Sequence, residues 1–311
     1  MNTKSIVEMY GVLSVKEGRL TAQNGEIVQL KGISSHGLSW YPEYVNYETM
    51  KFMRDQWGIQ LFRLAMYTAE EDGYCVGSQE NKNKLKQVVK DGVQAATQLG
   101  LYVIIDWHIL SDSNPLQYQA EAMDFFDEMA QLYKDHTNVI YEICNEPNVG
   151  AEWKDIKEYA EKVLPVIRKH DQKAVILVGT PTWSQDVDAA QADPVLGDEN
   201  LMYVLHFYAD THRDELRNKL QTAVKQGLPV FVSEFGICDA SGNGAINEEQ
   251  GNIWLNLLDE YKISYAIWNL SNRDESSALI KPDCQKLTDF TEEDLSDEAH
   301  WYLKKLASKD Q

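Results

Sequence analysis

No apolar run in this sequence approaches the ~18 residues that a membrane span requires. Met1 to Gly11 hold no apolar stretch of the kind a secretory leader carries. From that end alone, the expectation is either a cytoplasmic chain or one whose leader is missing. Cations are also scarce. Lys and Arg number 29 against 49 Asp and Glu, for a formal charge of −20. Such a surface repels phosphate backbones and anionic lipid, so nucleic-acid and membrane partners are excluded, whereas a neutral substrate pays no penalty. Cysteine is limited to Cys75, Cys144, Cys238 and Cys284, with no C-x-x-C or Cys/His zinc pattern among them. Cys144 and Cys238 sit in or just after apolar runs and read as small core fillers. No metal or cofactor is expected. Internal repeats, low-complexity tracts and linkers are absent too. One catalytic domain over residues 1–311 is expected, with no appended binding module and as a monomer.

What is present is strand-helix alternation. The 311 residues are 43% hydrophobic and 25% charged, enough for a large core and suited to a single α/β barrel, which takes about 250 residues plus insertions. Eight short β-rich runs occur at 27–36, 59–67, 101–108, 138–147, 174–181, 201–208, 229–236 and 263–271. Several are almost continuously apolar, as in Tyr102-Val103-Ile104-Ile105, the mark of parallel strands buried on both faces. Between them run amphipathic stretches. Leu85, Val88, Val89, Val93, Ala96 and Leu99 recur at helical spacing, with Gly100 as a stop. Trp153, Ile156, Tyr159, Ala160, Val163, Leu164 and Ile167 repeat the pattern. The alternation predicts a closed (β/α)8 TIM barrel, with an open doubly wound sheet as the other architecture. Asn24-Gly25 signals a type I′ turn, so residues 11–28 are expected to form a small hairpin closing the barrel bottom.

The polar residues of the runs gather at their C-terminal ends: His36, Arg63, His108, Asn145, Glu146, His206, Tyr208, Glu234 and Trp268. That rim carries the active site in barrels of this kind. Residues two apart on a strand share a face, so Asp106 and His108 point one way together, as do His206 and Tyr208. Glu146 ends the fourth run and Glu234 the seventh, which brings two carboxylates face to face across the barrel mouth. Glycoside hydrolysis needs such a pair: one acid protonates the leaving oxygen and the other attacks the anomeric carbon. Retention of configuration calls for carboxyl groups about 5–5.5 Å apart, and inversion for a gap near ~9 Å. Arg63 and Tyr208 suit an ionised Glu234. Anionic Glu234 in turn should keep Glu146 protonated. Asn145 suits the sugar 2-hydroxyl. Asp106 and Glu142 read as deeper structural acids. Trp40, Tyr67, Trp183 and Trp268, on or just past strand ends, are candidate stacking surfaces for pyranose rings, whereas Trp57, Trp254 and Trp301 belong to the core.

The segments Leu101 to His108, Val139 to Pro147 and Val232 to Gly236 resemble glycoside hydrolase family 5, most closely its bacterial endoglucanase branch. Lys31-Gly32-Ile33-Ser34-Ser35-His36-Gly37 and Trp268-Asn269-Leu270-Ser271 are similar to the same branch. The resemblance implies a retaining endo-β-1,4-glucanase with Glu146 as acid/base and Glu234 as nucleophile. It implies a site extending to Arg63, His108, Asn145, His206, Tyr208 and Trp268. His36 and Trp40 fall where the family contacts sugar on the nonreducing side, Trp183 resembles a leaving-group-side platform, and Arg273 and Glu275 match loop positions that touch substrate hydroxyls. Position 273 is Arg where the branch usually has Lys, and Asn269 stands where Ser commonly follows the tryptophan, at a peptide bond often cis in the family. The implied partner is β-glucan or a cello-oligosaccharide, and the implied location is extracellular, because insoluble glucan cannot enter a cell. Mannan, xylan or xyloglucan are alternative polymers. A metal-dependent barrel hydrolase using Asp106, His108, His206 and Glu234, and a noncatalytic glycan-binding barrel, are the readings from other classes.

Overall fold

A computed structural model describes residues 4–307; residues 1–3 and 308–311 of the expected single domain lie outside it. Eight parallel strands close into a ring: β1 (Lys31–Ser35), β2 (Leu61–Tyr67), β3 (Tyr102–His108), β4 (Val139–Glu142), β5 (Ile176–Val178), β6 (Leu201–Val204), β7 (Val230–Gly236) and β8 (Tyr265–Leu270). β8 pairs with both β7 and β1, which closes the barrel and excludes the open sheet. Each strand lies inside one of the eight expected runs. A ninth short segment, Phe207–Tyr208, continues the sixth run and pairs with β7 outside the ring. The interruption falls at His206, whose N–H leaves the ladder and donates to Ser184 O at 2.7 Å.

The helices start and stop where the side chains dictate. In α1 (Gln79–Leu99), the Ser78 hydroxyl accepts from Asn81 N–H, and Gly100 ends the helix in the left-handed conformation at φ 68°. Its buried stripe is Leu85, Val89, Val93, Ala96 and Leu99. α2 (Trp153–Arg168) buries Ile156, Tyr159, Ala160, Val163, Leu164 and Ile167 against the barrel, as the spacing requires. Trp254 and Trp301 are core residues and Trp57 sits at the core's edge. Cys144 and Cys238 are fully buried, and all four cysteines are free thiols. No helix among the described residues is long and apolar enough to cross a membrane.

The barrel bottom departs from expectation in one detail. The antiparallel pair is Ser14–Lys16 with Arg19–Thr21, turning at Glu17-Gly18, where φ is 50° and 72°. Two successive positive φ values make that the I′ turn. Asn24-Gly25 also turns the chain, and its arms share the bridge Thr21 to Ile27 and hydrogen bonds from Ala22 N–H to Glu26 O and from Val28 N–H to Leu20 O, both 2.8 Å. Residues 11–28 are thus a two-turn ribbon. Its Leu13, Leu20, Ala22 and Val28 pack beneath Leu61, Tyr102 and Ile140, and Tyr102 Oη donates to Gly11 O at 2.6 Å.

Near the opposite rim, the register slips on both sides of β8, between Val232 and Phe235 and between Ile267 and Leu270. Such irregularities re-aim side chains, and these flank Glu234 and Trp268. The end of β7 is braced by α3 (Asp297–Ala307), where buried Glu298 accepts from Ile237 N–H at 2.7 Å. Its other oxygen has no partner among the described residues. Burial pushes this carboxyl up to about 8, whereas an unfolded glutamate titrates near ~4.3. Folding therefore retains a proton that the unfolded chain loses between those values. The stability this contributes is complete below the unfolded value and is lost as pH rises through about 8. Glu298→Gln, which keeps the acceptor, should remove a loss on the order of 4 kcal/mol between pH ~5 and ~9. Denaturant unfolding at the two pH values measures it, and parallel curves for the two proteins would refute it.

Candidate active site

An open cleft of about 680 Å³ crosses the C-terminal rim. Every expected site residue lines it except Arg63 and Asn145, which lie fully buried underneath. Glu70, Leu110, Gln185, His212, Ala240, Ser241 and Gly242 also line it and were not foreseen. They sit beyond the strand ends, where no periodicity singles out a side chain; position after β2, β3, β5, Tyr208 and β7 was the only available signal.

Arg63, on β2, organises the site from below. Its guanidinium grips Glu142 through Nε to Oε2 at 2.8 Å and Nη2 to Oε1 at 3.1 Å. It donates to Glu234 Oε2 at 3.0 Å and to Asn145 Oδ1 at 2.7 Å, and lies 3.0 Å from Asp106 Oδ2. One cation thus serves three buried carboxylates. Burial pushes Asp106 and Glu142 each up to about 7, with Arg63 pulling both back. Asp106 Oδ2 meets His108 Nδ1 at 2.5 Å, and burial first, then Arg63, takes His108 down to about 3. The deeper, structural placement of Asp106 and Glu142 agrees with the expectation. Asn145 differs. Its oxygen is occupied by Arg63 and one amide proton by Ile109 O at 3.0 Å, because the chain leaves the β4 ladder at Glu142 and turns that side chain beneath the cleft floor.

Glu234 receives Arg63 on one oxygen and Tyr208 Oη, at 2.9 Å, on the other. Two donors aimed at two oxygens suit an anion. Glu146 has the opposite surroundings. Burial above all, and then the charge of Glu234, raises its carboxyl well above the usual range, against the pull of Arg63. The ranking revises the expectation, which credited Glu234 alone. Glu146 Oε1 lies 2.9 Å from His206 Nδ1. Burial, followed by Arg63, holds His206 well below its ordinary value and therefore neutral. An oxygen of Glu146, an oxygen of Glu234 and a ring nitrogen of His206 all lie within 4.8 Å of one another.

Aromatic rings form the wall beside the acids. Tyr67 packs on His108 with centroids 4.1 Å apart, Trp40 on Tyr67 at 4.7 Å, and Trp268 stacks on His108 at 5.3 Å. The Trp268–Asn269 peptide is cis. His36 accepts from Gly37 N–H on Nδ1 at 2.6 Å, and burial takes it down to about 3, leaving its neutral Nε2–H 3.7 Å from Glu275. Glu275 pairs with Arg273 at 2.8 Å, so those two residues engage each other.

Trp183 stands apart on the far lip, 39% exposed. It is held by a left-handed turn, with φ near 57°, 53° and 55° at Thr182, Trp183 and Ser184. Left-handed backbone costs roughly 1–2 kcal/mol per residue. Local bonds hold it in place: Trp183 N–H donates to Pro147 O at 2.9 Å, and Ser184 Oγ to Asn145 O at 2.6 Å. The exposed ring is thereby tied to the segment that carries Glu146.

A closed parallel barrel with two rim glutamates across an open cleft, one among donors and one beside a neutral imidazole, defines a (β/α)8 glycoside hydrolase. The family described as cellulase (glycosyl hydrolase family 5) matches residues 21–274, and the chain belongs to that family. Among its relatives, Endoglucanase A of Butyrivibrio fibrisolvens is 51% identical over 302 residues, covering 97% of this chain and 70% of the relative. Endoglucanase A of Evansella cellulosilytica is 47% identical, covering 98% of this chain and 62% of the relative. The crystal structure of an endoglucanase catalytic domain from Thermobifida fusca superposes with a TM-score of 0.93 at 37% identity, covering 98% of this chain and 100% of that one.

Proposed function

We propose that the protein is a retaining endo-β-1,4-glucanase acting outside the cell on cellulose and related glucans, with Glu146 as acid/base and Glu234 as nucleophile. The observation that carries this reading is the pair itself: carboxyl oxygens within 4.8 Å of each other, one acid among cationic and hydroxyl donors and the other kept protonated. An approach of oxygens that close suits double displacement rather than the wider gap of an inverting pair. In the first step the Glu146 proton goes to the glycosidic oxygen while a Glu234 oxygen bonds the anomeric carbon and the C–O bond breaks. In the second, water gives a proton to Glu146, its oxygen takes the anomeric carbon, and Glu234 leaves.

The substrate class follows from the names of the relatives, from a solved complex of the Thermobifida fusca domain with cellotetraose, and from the aromatic wall. Trp40 and Trp268 are proposed to face sugar on one side of the cut and Trp183 on the other. Arg273 and Glu275 act as a joined pair at the nonreducing end, with His36 Nε2 facing Glu275 at 3.7 Å. Asp106 and Asn145 hold Arg63 in place, and His108 holds Asp106. The reading requires no metal: the fixed charge of Arg63 already lies 3.0 Å from Glu234, Tyr208 meets the other Glu234 oxygen and His206 meets one oxygen of Glu146.

Incubation with soluble cellulose, mannan, xylan and xyloglucan tests the substrate. Fastest release of reducing ends from the β-1,4-glucan is expected, with a steep early fall in viscosity from internal cuts. A faster rate on any other polymer overturns the substrate. Proton NMR of the first products should show the β-anomer before mutarotation, and the α-anomer overturns the mechanism.

A further inference from the structure

Behind Glu146 runs a chain of hydrogen bonds whose direction is fixed at its far end. Ser233 Oγ lies 2.7 Å from Glu142 Oε1 and 2.9 Å from His206 Nε2, and His206 Nδ1 lies 2.9 Å from Glu146 Oε1. All four residues are buried. Arg63 donates to both oxygens of Glu142, which selects the carboxylate form, and a carboxylate offers only lone pairs. Ser233 has one hydroxyl proton, and it goes to Glu142. Toward His206, Ser233 is therefore an acceptor, and Nε2 must carry hydrogen. A neutral imidazole has a single N–H, so Nδ1 presents its lone pair to Glu146. Two lone pairs cannot share a 2.9 Å contact, so the proton belongs on Glu146 Oε1.

We propose that Ser233 and Glu142 are positioning residues that lock His206 in its Nε2–H tautomer and thereby hold the catalytic proton on Glu146 in the resting enzyme. The proposal rests on the reading of Glu146 as acid/base. A proton placed on Glu142 instead would reverse every bond: Glu142 to Ser233, Ser233 to Nε2, and Nδ1–H to an ionised Glu146. The grip of Arg63 on Glu142 selects the first arrangement. The other charged and titratable groups around the chain are Asp106 and His108 beside Arg63, and Glu234, Tyr208 and Tyr67 around Glu146. The Nδ1 lone pair also opposes ionised Glu146 in the glycosyl-enzyme, which makes it a stronger base toward the incoming water.

The tautomer can be read directly by nitrogen-15 NMR of the wild-type protein, with the His206 signals identified by their loss in His206→Asn. Nε2–H with a bare Nδ1 is expected; an Nδ1–H or doubly protonated ring overturns the proposal. That measurement needs no turnover, so it is independent of the acid/base assignment, which Glu146→Ala kinetics decide separately. The kinetic test is Ser233→Ala on an aryl β-cellobioside with a poor leaving group. Without its acceptor, the imidazole proton moves to Nδ1 and favours ionised Glu146. The alkaline limb of kcat/KM should move to lower pH by about one pH unit, and Ser233→Thr, which keeps the hydroxyl, should restore it. A merely structural role would lower kcat with the limb unmoved, and that outcome refutes the proposal. If Ser233→Ala fails to fold, the wild-type NMR result decides.

Discussion

Glu234→Ala should reduce kcat by about 10⁵-fold or more on every substrate, whatever its leaving group. The side chain is proposed to form the covalent bond of the first step, and no neighbour can replace it. Arg63 and Tyr208 are donors, and Glu146 is engaged by His206. The loss should be uniform because the missing nucleophile serves cleavage of good and poor leaving groups alike. Folding should survive, since Glu234 lines the cleft and Arg63 retains Glu142 and Asp106 as partners. Initial rates on soluble cellulose and on a dinitrophenyl cellobioside, with melting curves as a control, measure the effect. Residual turnover above about 1% of wild type on either substrate would be incompatible with the assignment.

Glu146→Ala should behave differently. On cellulose, whose leaving group is a sugar hydroxyl, a loss of roughly 10²–10⁴ is expected, the usual contribution of general acid catalysis. On the dinitrophenyl substrate, whose leaving group departs without a proton, bond cleavage should be nearly unaffected. The second step, now without its base, should become limiting, so a burst of dinitrophenol precedes slow turnover. In the wild type, burial and Glu234 raise the Glu146 carboxyl, so the acid is protonated at low pH and the rate is lost as pH rises through its raised value. In Glu146→Ala that alkaline limb should vanish from the bond-cleavage step. Equal losses on the two substrates, or an alkaline limb that persists in the burst, would remove Glu146 from this role.

Which side chains reach the rim was legible because strand periodicity is local. His108 meets Asp106 two residues away, and His206 and Tyr208 both reach the acids from one run. Asn145 shows the limit. Its place in the sequence suggested a sugar contact, and gave no sign that the chain leaves the ladder after Glu142 and delivers its oxygen to Arg63. The bottom ribbon shows another. Asn24-Gly25 is the stronger turn signal by composition, yet the paired strands meet at Glu17-Gly18, because pairing is decided by what Leu13 and Leu20 can bury beneath the barrel. The left-handed turn under Trp183 left no trace in the sequence, since its stability comes from Pro147 O and Asn145 O on another element.

The sequence by itself determined the eightfold alternation, the parallel buried strands, the two rim glutamates and the family, because each depends on spacing along one chain or on motifs within one strand. Only the tertiary structure decided that Arg63 holds three acids at once, that burial outweighs Glu234 in raising Glu146, and that Ser233 and Glu142 orient the imidazole behind it. Those outcomes depend on distances between strands far apart in the chain and on the loss of water around them. Barrel closure fixes both.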